Sequence, residues 1–90
     1  MITLTGQLIC ANATEAGIVR EHLPEHVRLT RAEPGCLSFN VLPTADPLVW
    51  QVDESFTDLA AFEAHQTRTK ASVWHKATAQ VKRDFRISGT

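Results

Sequence analysis

The dipeptide Pro34-Gly35 separates two segments whose apolar residues follow different periods, and this junction constrains the fold more than any other feature of the chain. Before it, apolar residues recur at spacings of three and four, which is the period of an amphipathic helix. After it, the apolar residues alternate as in a strand. Proline disfavours helical backbone in Glu33, and glycine can adopt the positive φ of a tight reversal. The sequence therefore predicts a sharp helix-to-strand corner at this point.

The segment before the corner predicts a strand followed by a helix. A partly alternating pattern indicates a strand over Ile2–Ala11, and the side-chain oxygens of Asn12 and Thr14 can cap the helix that follows. Pro24 lies inside that helix. Because proline lacks an N–H group and its ring clashes with the preceding turn, we expect two helical pieces.

Two strands joined by the turn P-T-A-D-P follow the corner and predict a hairpin over Cys36–Leu42 and Leu48–Phe56. Successive side chains of a strand point to opposite faces of a sheet. The residues expected to share one face are Leu37, Phe39 and Val41 in the first strand and Trp50, Val52, Glu54 and Phe56 in the second.

The last third of the chain repeats the helix-then-strand order. Thr57 and Asp58 can each cap a helix on which His65 lies at the edge of the core. The alanine-rich segment Lys70–Val81 predicts a second helical segment. Lys82–Ser88 predicts a short edge strand, because its lysine and arginine side chains discourage pairing with other chains.

The element order is strand, helix, strand, strand, helix, strand, which predicts an α+β fold of the ferredoxin-like βαββαβ type. Its helices would cover one face of a four-stranded antiparallel sheet. At 90 residues the chain predicts a single domain with a modest core, residues 1–90. Several strands carry apolar groups on both sides, so we expect a second copy to cover the other face in a homodimer.

Charge and composition narrow the classes of partner. The net charge is -1, and no cluster of basic residues favours a nucleic acid or an anionic membrane. No apolar run approaches the roughly 18 residues of a transmembrane helix, and the first ten residues lack the basic region of a signal peptide. We therefore expect a cytoplasmic protein in which Cys10 and Cys36 are packed thiols rather than a disulfide.

Two segments together resemble a known family. A-E-P-G-C-L-S-F (Ala32–Phe39) is followed after a hairpin by E-S-F-T-D-L-A-A-F-E-A-H (Glu54–His65), and both are similar to the antibiotic biosynthesis monooxygenase domain family. The resemblance implies a dimeric α+β barrel with a pocket between sheet and helices in each chain. It also implies that molecular oxygen oxidises a small electron-rich aromatic, of the hydroquinone or polycyclic phenol type, without flavin, metal or other cofactor.

The chain departs from this family after the helix histidine. Many members carry a second histidine in a T-P-H-F-like segment, where this chain has Thr69, Lys70 and Ala71. Lys70 could supply a donor for an anion or could point into solvent. Heme-degrading relatives place a histidine ligand near the position of Ser72, so heme degradation is not favoured.

His65 is the candidate catalytic residue, because a histidine at a helix–core boundary can exchange a proton near neutral pH. The alternative is a histidine satisfied by a backbone carbonyl or water. Tryptophans could stack on a planar substrate, and phenylalanines could line its pocket. Glu54 is acidic on an otherwise apolar strand face, so it must either find a donor or sit at a solvated edge. Each of these residues also has a plain structural interpretation in the core. The predicted substrate-binding residues are Trp50, Trp74, Phe39, Phe62 and Glu54.

Three other interpretations are compatible with parts of the sequence. The string H-L-P-E-H (His22–His26) fits one zinc-protease pattern, but Pro24 interrupts the helical face that two zinc ligands would need, so we predict no metal site. The same barrel could be a non-catalytic module that binds a small molecule. It could also be an isomerase or a stress-related barrel, because fold alone does not determine activity.

Overall fold

The computed structural model describes residues 1–89, which form four strands and three helices. In chain order these are β1 (Ile2–Ile9), α1 (Ala13–Arg31), β2 (Cys36–Pro43), β3 (Val49–Phe56), α2 (Leu59–Lys70), α3 (Val73–Ala77) and β4 (Lys82–Gly89). The strands make one antiparallel sheet in the order β2-β3-β1-β4, with β2 and β4 at its edges. The predicted α+β, ferredoxin-like βαββαβ fold is confirmed.

Helix α1 is continuous, so the prediction of two helical pieces is wrong. Pro24 lies inside the helix, and its side chain faces solvent. Because proline has no N–H group, the carbonyl of Arg20, which is also exposed, lacks its usual helical hydrogen bond. An exposed carbonyl can bond to water instead, which lowers the cost of proline on this side. On the opposite side of the helix, Ala16, Val19 and Leu23 are buried in the core. Their packing against the core stabilises α1 as one continuous helix.

The corner at Pro34-Gly35 is present as predicted, with Gly35 at a φ of 84°. The Gly35 carbonyl accepts a hydrogen bond from the Thr57 N–H at 2.8 Å, which ties the corner to the end of β3. A Cβ atom at Gly35 would lie 2.5 Å from the Cβ of Ala61 in α2, so a larger residue does not fit. This close approach brings the end of α1 against α2.

A bulge in β2 changes which side chains reach the core. The pairing with β3 shifts between Cys36 and Ser38, and Leu37 is 56% exposed. The prediction that Leu37 shares a face with Phe39 and Val41 is therefore wrong, because those two residues are buried.

The core lies between one face of the sheet and the helices. The four residues predicted to share one side of β3 do so, and all four are buried. The buried apolar residues of the strands and helices form one cluster around them, including Ile2, Leu4, Leu8, Val19, Leu23, Phe56, Phe62 and Trp74.

The opposite face of the sheet is polar along its central strands. Thr5 Oγ1 donates to a carboxylate oxygen of Asp53 at 2.6 Å, and Thr3 and Ser88 are joined through their hydroxyls at 2.7 Å. The expectation of apolar groups on both sides is therefore wrong for these strands. Their polar groups bond to one another across the strands.

The helix caps follow the predicted chemistry, although the last helix is shorter than expected. Asn12 accepts from the Glu15 N–H at 3.0 Å, and Asp58 accepts from the Ala61 N–H at 2.8 Å. The alanine-rich segment forms only α3, which Ser72 caps. None of the helices within residues 1–89 is long and apolar enough to cross a membrane.

Candidate active site

A cavity of about 200 Å³ lies between the core face of the sheet and the helices, and we call it the sheet cavity. Helices supply His65, Gln66, Thr69 and Trp74 to its walls, and β3 supplies Glu54. Apolar side chains of the strands make up much of the remaining wall: Leu4, Leu8, Phe39, Val41, Val52 and Phe85. The cavity therefore combines an apolar interior with a few polar groups, as is typical of small-molecule sites.

His65 is held by a carboxylate from the turn that follows α1. The residue is 2% exposed, and its Nδ1 lies 2.9 Å from Glu33 Oε1. Arg68, one turn further along α2, donates to the same oxygen from Nε at 3.0 Å and from Nη2 at 2.6 Å. Nη2 also donates to Thr30 Oγ1 at 3.0 Å. The corner at Gly35 makes this arrangement possible, because it sets the end of α1 beside α2.

The charge of Glu33 fixes the tautomer of His65. Burial by itself would raise the pKa of the Glu33 carboxyl, but hydrogen bonds from Arg68 and His65 outweigh it and lower that pKa below its usual value. The carboxylate is then ionised at neutral pH and can only accept hydrogen bonds. Nδ1 of His65 therefore carries the hydrogen, and the lone pair of the neutral ring is at Nε2.

Nε2 of His65 lies at the wall of the sheet cavity. It is 3.6 Å from Glu54 Oε1 and 3.4 Å from Thr69 Oγ1. Glu54 and Thr69 both line the cavity, whereas Glu33, the partner of Nδ1, does not. The basic nitrogen of His65 is therefore presented to any molecule in the cavity, with a carboxyl group beside it.

Glu54 is an acid that changes charge near neutral pH. It is 7% exposed, and its partners in the sheet register are the apolar residues Leu4 and Phe39. Burial, and then the charge of Glu33, raise the pKa of Glu54 to about 7. When protonated it can donate to His65 Nε2, and when ionised it favours a proton on that nitrogen. Perturbed groups of this kind cluster at functional sites.

His26 and Trp74 form a flat stack in the cavity wall. Their ring centroids are 4.6 Å apart with an interplanar angle of 3°. His26 is buried, and burial followed by the nearby charge of Arg68 lowers its pKa to about 3. The imidazole is therefore neutral at physiological pH, so it stacks on the indole without bringing a charge into the core.

The structure brings together four of the residues predicted for the site. His65, Glu54, Phe39 and Trp74 all line the sheet cavity. Their roles in catalysis and substrate binding stay predictions.

The other two predicted residues, Trp50 and Phe62, are buried elsewhere in the core. Trp50 lies opposite Leu8 and Pro43 in the sheet register, and Phe62 packs edge-on against Phe56 at 5.7 Å between ring centroids. Neither is among the residues that line the sheet cavity. Their predicted role in substrate binding stays a prediction that this placement does not support.

Sequence reasoning missed Glu33, Arg68 and His26. Glu33 was noted only as the residue before proline, and Arg68 lies one turn after His65 on the same helix face. That spacing was the available signal for Arg68. For His26 the sequence offered only the H-L-P-E-H string, which points to a metal rather than to a stack with Trp74.

The structure shows where the residues that depart from the family pattern lie. Lys70 is exposed and contributes to the wall of the sheet cavity. Ser72 caps α3 by accepting from the His75 N–H at 3.2 Å. Across residues 1–89 no group of three or more histidine, cysteine, aspartate or glutamate side chains is arranged to hold a metal ion. Cys10 and Cys36 are free thiols, as expected.

Comparisons with solved structures show where this fold recurs. A protein from Deinococcus radiodurans, provisionally assigned as an antibiotic biosynthesis monooxygenase, has a TM-score of 0.84 and 21% identity over 100% of this chain and 92% of that one. A Nitrosomonas europaea protein with the same provisional assignment has a TM-score of 0.82 and 19% identity over 100% and 98% of the two chains. SnoaB, a cofactor-independent oxygenase from Streptomyces nogalater, has a TM-score of 0.81 and 12% identity over 99% and 91%.

These identities are too low to transfer an activity, and they show the fold alone. A comparison with curated proteins finds no match. The family model for antibiotic biosynthesis monooxygenase matches residues 1–77, which is most of the chain. The chain therefore belongs to the antibiotic biosynthesis monooxygenase family.

Proposed function

We propose that this protein is a cofactor-independent monooxygenase that oxidises a small electron-rich aromatic, of the hydroquinone or polycyclic phenol type, with molecular oxygen. The observation that carries the proposal is the orientation of His65. Its Nδ1 is held at 2.9 Å by Glu33, and its Nε2 faces an apolar cavity. The family match and the likeness to the oxygenase SnoaB support the same reaction class.

In this proposal His65 is the base that activates the substrate. Nε2 takes the proton of a ring hydroxyl, and the imidazolium that forms lies between Glu33 and Glu54. Both carboxylates stabilise that charge when they are ionised. The aromatic walls exclude water and leave the phenolate weakly solvated, which makes it a better electron donor.

The electrons for the reaction come from the substrate itself. The phenolate transfers one electron to oxygen, and the resulting superoxide and phenoxyl radical combine at a ring carbon that carries hydrogen, ortho or para to the hydroxyl. The hydroperoxide that forms receives the proton held by His65. Its O–O bond then breaks as hydroxide leaves and the ring carbon loses its hydrogen as a proton. One oxygen atom ends as a quinone carbonyl and the other as water.

Oxygen consumption tests the proposal directly. A panel of hydroquinones and anthrone-like phenols is compared between the wild type and His65→Ala, with Thr67→Ala, an exposed position on the same helix, as the matched control. We expect the loss of the base to lower the rate by about 10²–10⁴-fold and the control to retain it. Equal rates in the wild type and His65→Ala would remove His65 from the mechanism.

One departure from the family favours a second candidate function. Lys70 lies in the segment where many relatives have a histidine, and it lines the sheet cavity while remaining exposed. A module that only binds a small aromatic would need the cavity but not that histidine. Thermal stabilisation by the same compounds without any oxygen uptake would favour this function, because a ligand of the folded state raises its stability.

We also propose that two copies associate through the polar face of the sheet to form the dimeric α+β barrel. The hydrogen bonds of Thr3 and Thr5 across the strands satisfy groups that such an interface would bury. Sedimentation equilibrium of Thr5→Arg should show dissociation, whereas Thr14→Arg, exposed on α1, should remain dimeric. A monomeric wild type at high concentration would refute the dimer.

The free thiols of Cys10 and Cys36 support a cytoplasmic location.

A further inference from the structure

A second cavity, of about 460 Å³, lies between α1 and the segment formed by α2 and α3, and we call it the helix cleft. Its walls include Leu29 on α1, Arg68 on α2 and Val73 on α3, and no strand residue among residues 1–89 lines it. The described residues that line both the helix cleft and the sheet cavity are His26 and Trp74 alone. The stack of these two rings therefore separates the two spaces.

We propose that the His26–Trp74 stack is the wall that restricts the substrate of the sheet cavity to a single aromatic ring. This inference rests on the proposed function, because it concerns the compound that His65 would activate. A substrate with several fused rings would need the volume of the helix cleft as well.

The volume of the sheet cavity matches one ring. A dry cavity of about 150 Å³ in another protein is known to hold benzene, and the sheet cavity measures about 200 Å³. It therefore has room for a ring with one or two hydroxyl groups. A three-ring compound has more than twice the carbon atoms of benzene and exceeds this space, whereas the two spaces joined would admit it.

Hydrogen bonds and burial hold the His26–Trp74 stack in position. The Trp74 carbonyl accepts hydrogen bonds from the Thr78 N–H at 2.9 Å and from Thr78 Oγ1 at 2.6 Å. Arg83 Nη2 in turn donates to Thr78 Oγ1 at 2.6 Å, which ties the end of α3 to β4. His26 and Trp74 are both buried, and their rings are parallel within 3°. The hydrogen bonds hold the backbone at the end of α3, and burial leaves the two rings little room to move, so the stack defines the shape of the pocket.

Binding measured under nitrogen tests the wall without depending on turnover. Calorimetry compares hydroquinone with anthrone in the wild type, Trp74→Ala and Trp74→Phe. We expect the wild type to bind hydroquinone at least tenfold more tightly than anthrone. Trp74→Ala joins the two spaces and should bind anthrone at least tenfold more tightly than the wild type does, whereas Trp74→Phe keeps a flat ring in the wall and should preserve the wild-type preference.

Two further measurements keep the test decisive. Competition with hydroquinone shows whether anthrone enters the sheet cavity, and Val73→Ala, which changes the helix cleft alone, should leave the preference unchanged. If Trp74→Ala fails to fold, His26→Ala removes the other half of the stack and should have the same effect. A wild type that binds anthrone as tightly as hydroquinone would overturn the inference, and so would an unchanged preference in a folded variant that lacks the stack. If the wild type prefers hydroquinone over anthrone but takes up no oxygen, the proposed function is refuted and the inference about the wall still holds.

Discussion

Replacement of Glu54 by glutamine should make the protein more stable at neutral and alkaline pH. The Glu54 carboxyl is 7% exposed, and burial followed by the charge of Glu33 raises its pKa from 4.5 to about 7. The folded state therefore keeps its proton at a pH where the unfolded chain has already lost it. Glutamine keeps the shape and hydrogen-bonding ability of the protonated acid but cannot ionise.

The sign and size of the effect follow from proton linkage. Between pH 4.5 and pH 7 the folded state binds more protons at this residue than the unfolded state does, so this carboxyl lowers the free energy of unfolding as the pH rises. At about 1.4 kcal/mol for each pH unit, the wild type loses about 3 kcal/mol over this range and none beyond it. Glu54→Gln should not show this loss.

Urea unfolding at several pH values from 4 to 9 measures the effect as a difference between the two proteins. We expect the stability of Glu54→Gln relative to the wild type to increase by about 3 kcal/mol between pH 4.5 and pH 8. Glu63→Gln, the same substitution at an exposed position on α2, is the control and should show no comparable increase. A difference that stays constant with pH would show that Glu54 is ionised in the folded protein, and would refute the described environment of His65.

Three other substitutions test the site and the fold. Glu33→Gln removes the carboxylate that fixes the imidazole tautomer, so kcat for oxygen uptake should fall by about 10²-fold or more while the calorimetric Kd changes little; an unchanged kcat would contradict this role. Urea unfolding of Gly35→Ala should give a free energy of unfolding lower by about 2 kcal/mol or more, because Gly35 has a φ of 84° and a Cβ atom there would lie 2.5 Å from the Cβ of Ala61. Gly17→Ala is the control and should not destabilise the protein, because a Cβ atom at Gly17 would have no other atom within 4 Å. His26 has its pKa lowered from 6.5 to about 3, so the wild type should lose about 5 kcal/mol of stability at this residue as the pH falls across that range. His26→Gln should show a correspondingly smaller loss in acid, and parallel curves for the two proteins would contradict the buried neutral histidine.

The order of the elements could be predicted because it depends on local rules. The spacing of apolar residues distinguishes helix from strand, and Pro34-Gly35 marks the corner that the structure shows with Gly35 at positive φ. The face that Glu54 shares with its neighbours on β3 follows from strand alternation, whereas its burial depends on the packing of the helices on the sheet. Helical spacing and the resemblance to the family both indicated His65 as the candidate catalytic residue, and that role stays a prediction.

The partners of His65 could not be predicted in this way. Glu33 and His65 are 32 residues apart, and they meet because α1 and α2 approach each other at the corner. Arg68 then determines the charge of Glu33 through contacts that neither sequence segment shows alone. The local rule for Pro24 failed for a related reason, because the packing of α1 on the core outweighs one missing hydrogen bond on the exposed side.

The sequence by itself determined the periodicities, the turns and the caps, each of which depends on residues a few positions apart. Only the tertiary structure decided the charge of Glu54, the stack of His26 on Trp74 and the division of the interior into two spaces. The physical reason is that a pKa, a ring stack and a cavity depend on the neighbours and the solvent around a side chain. In this fold those neighbours come from distant parts of the chain.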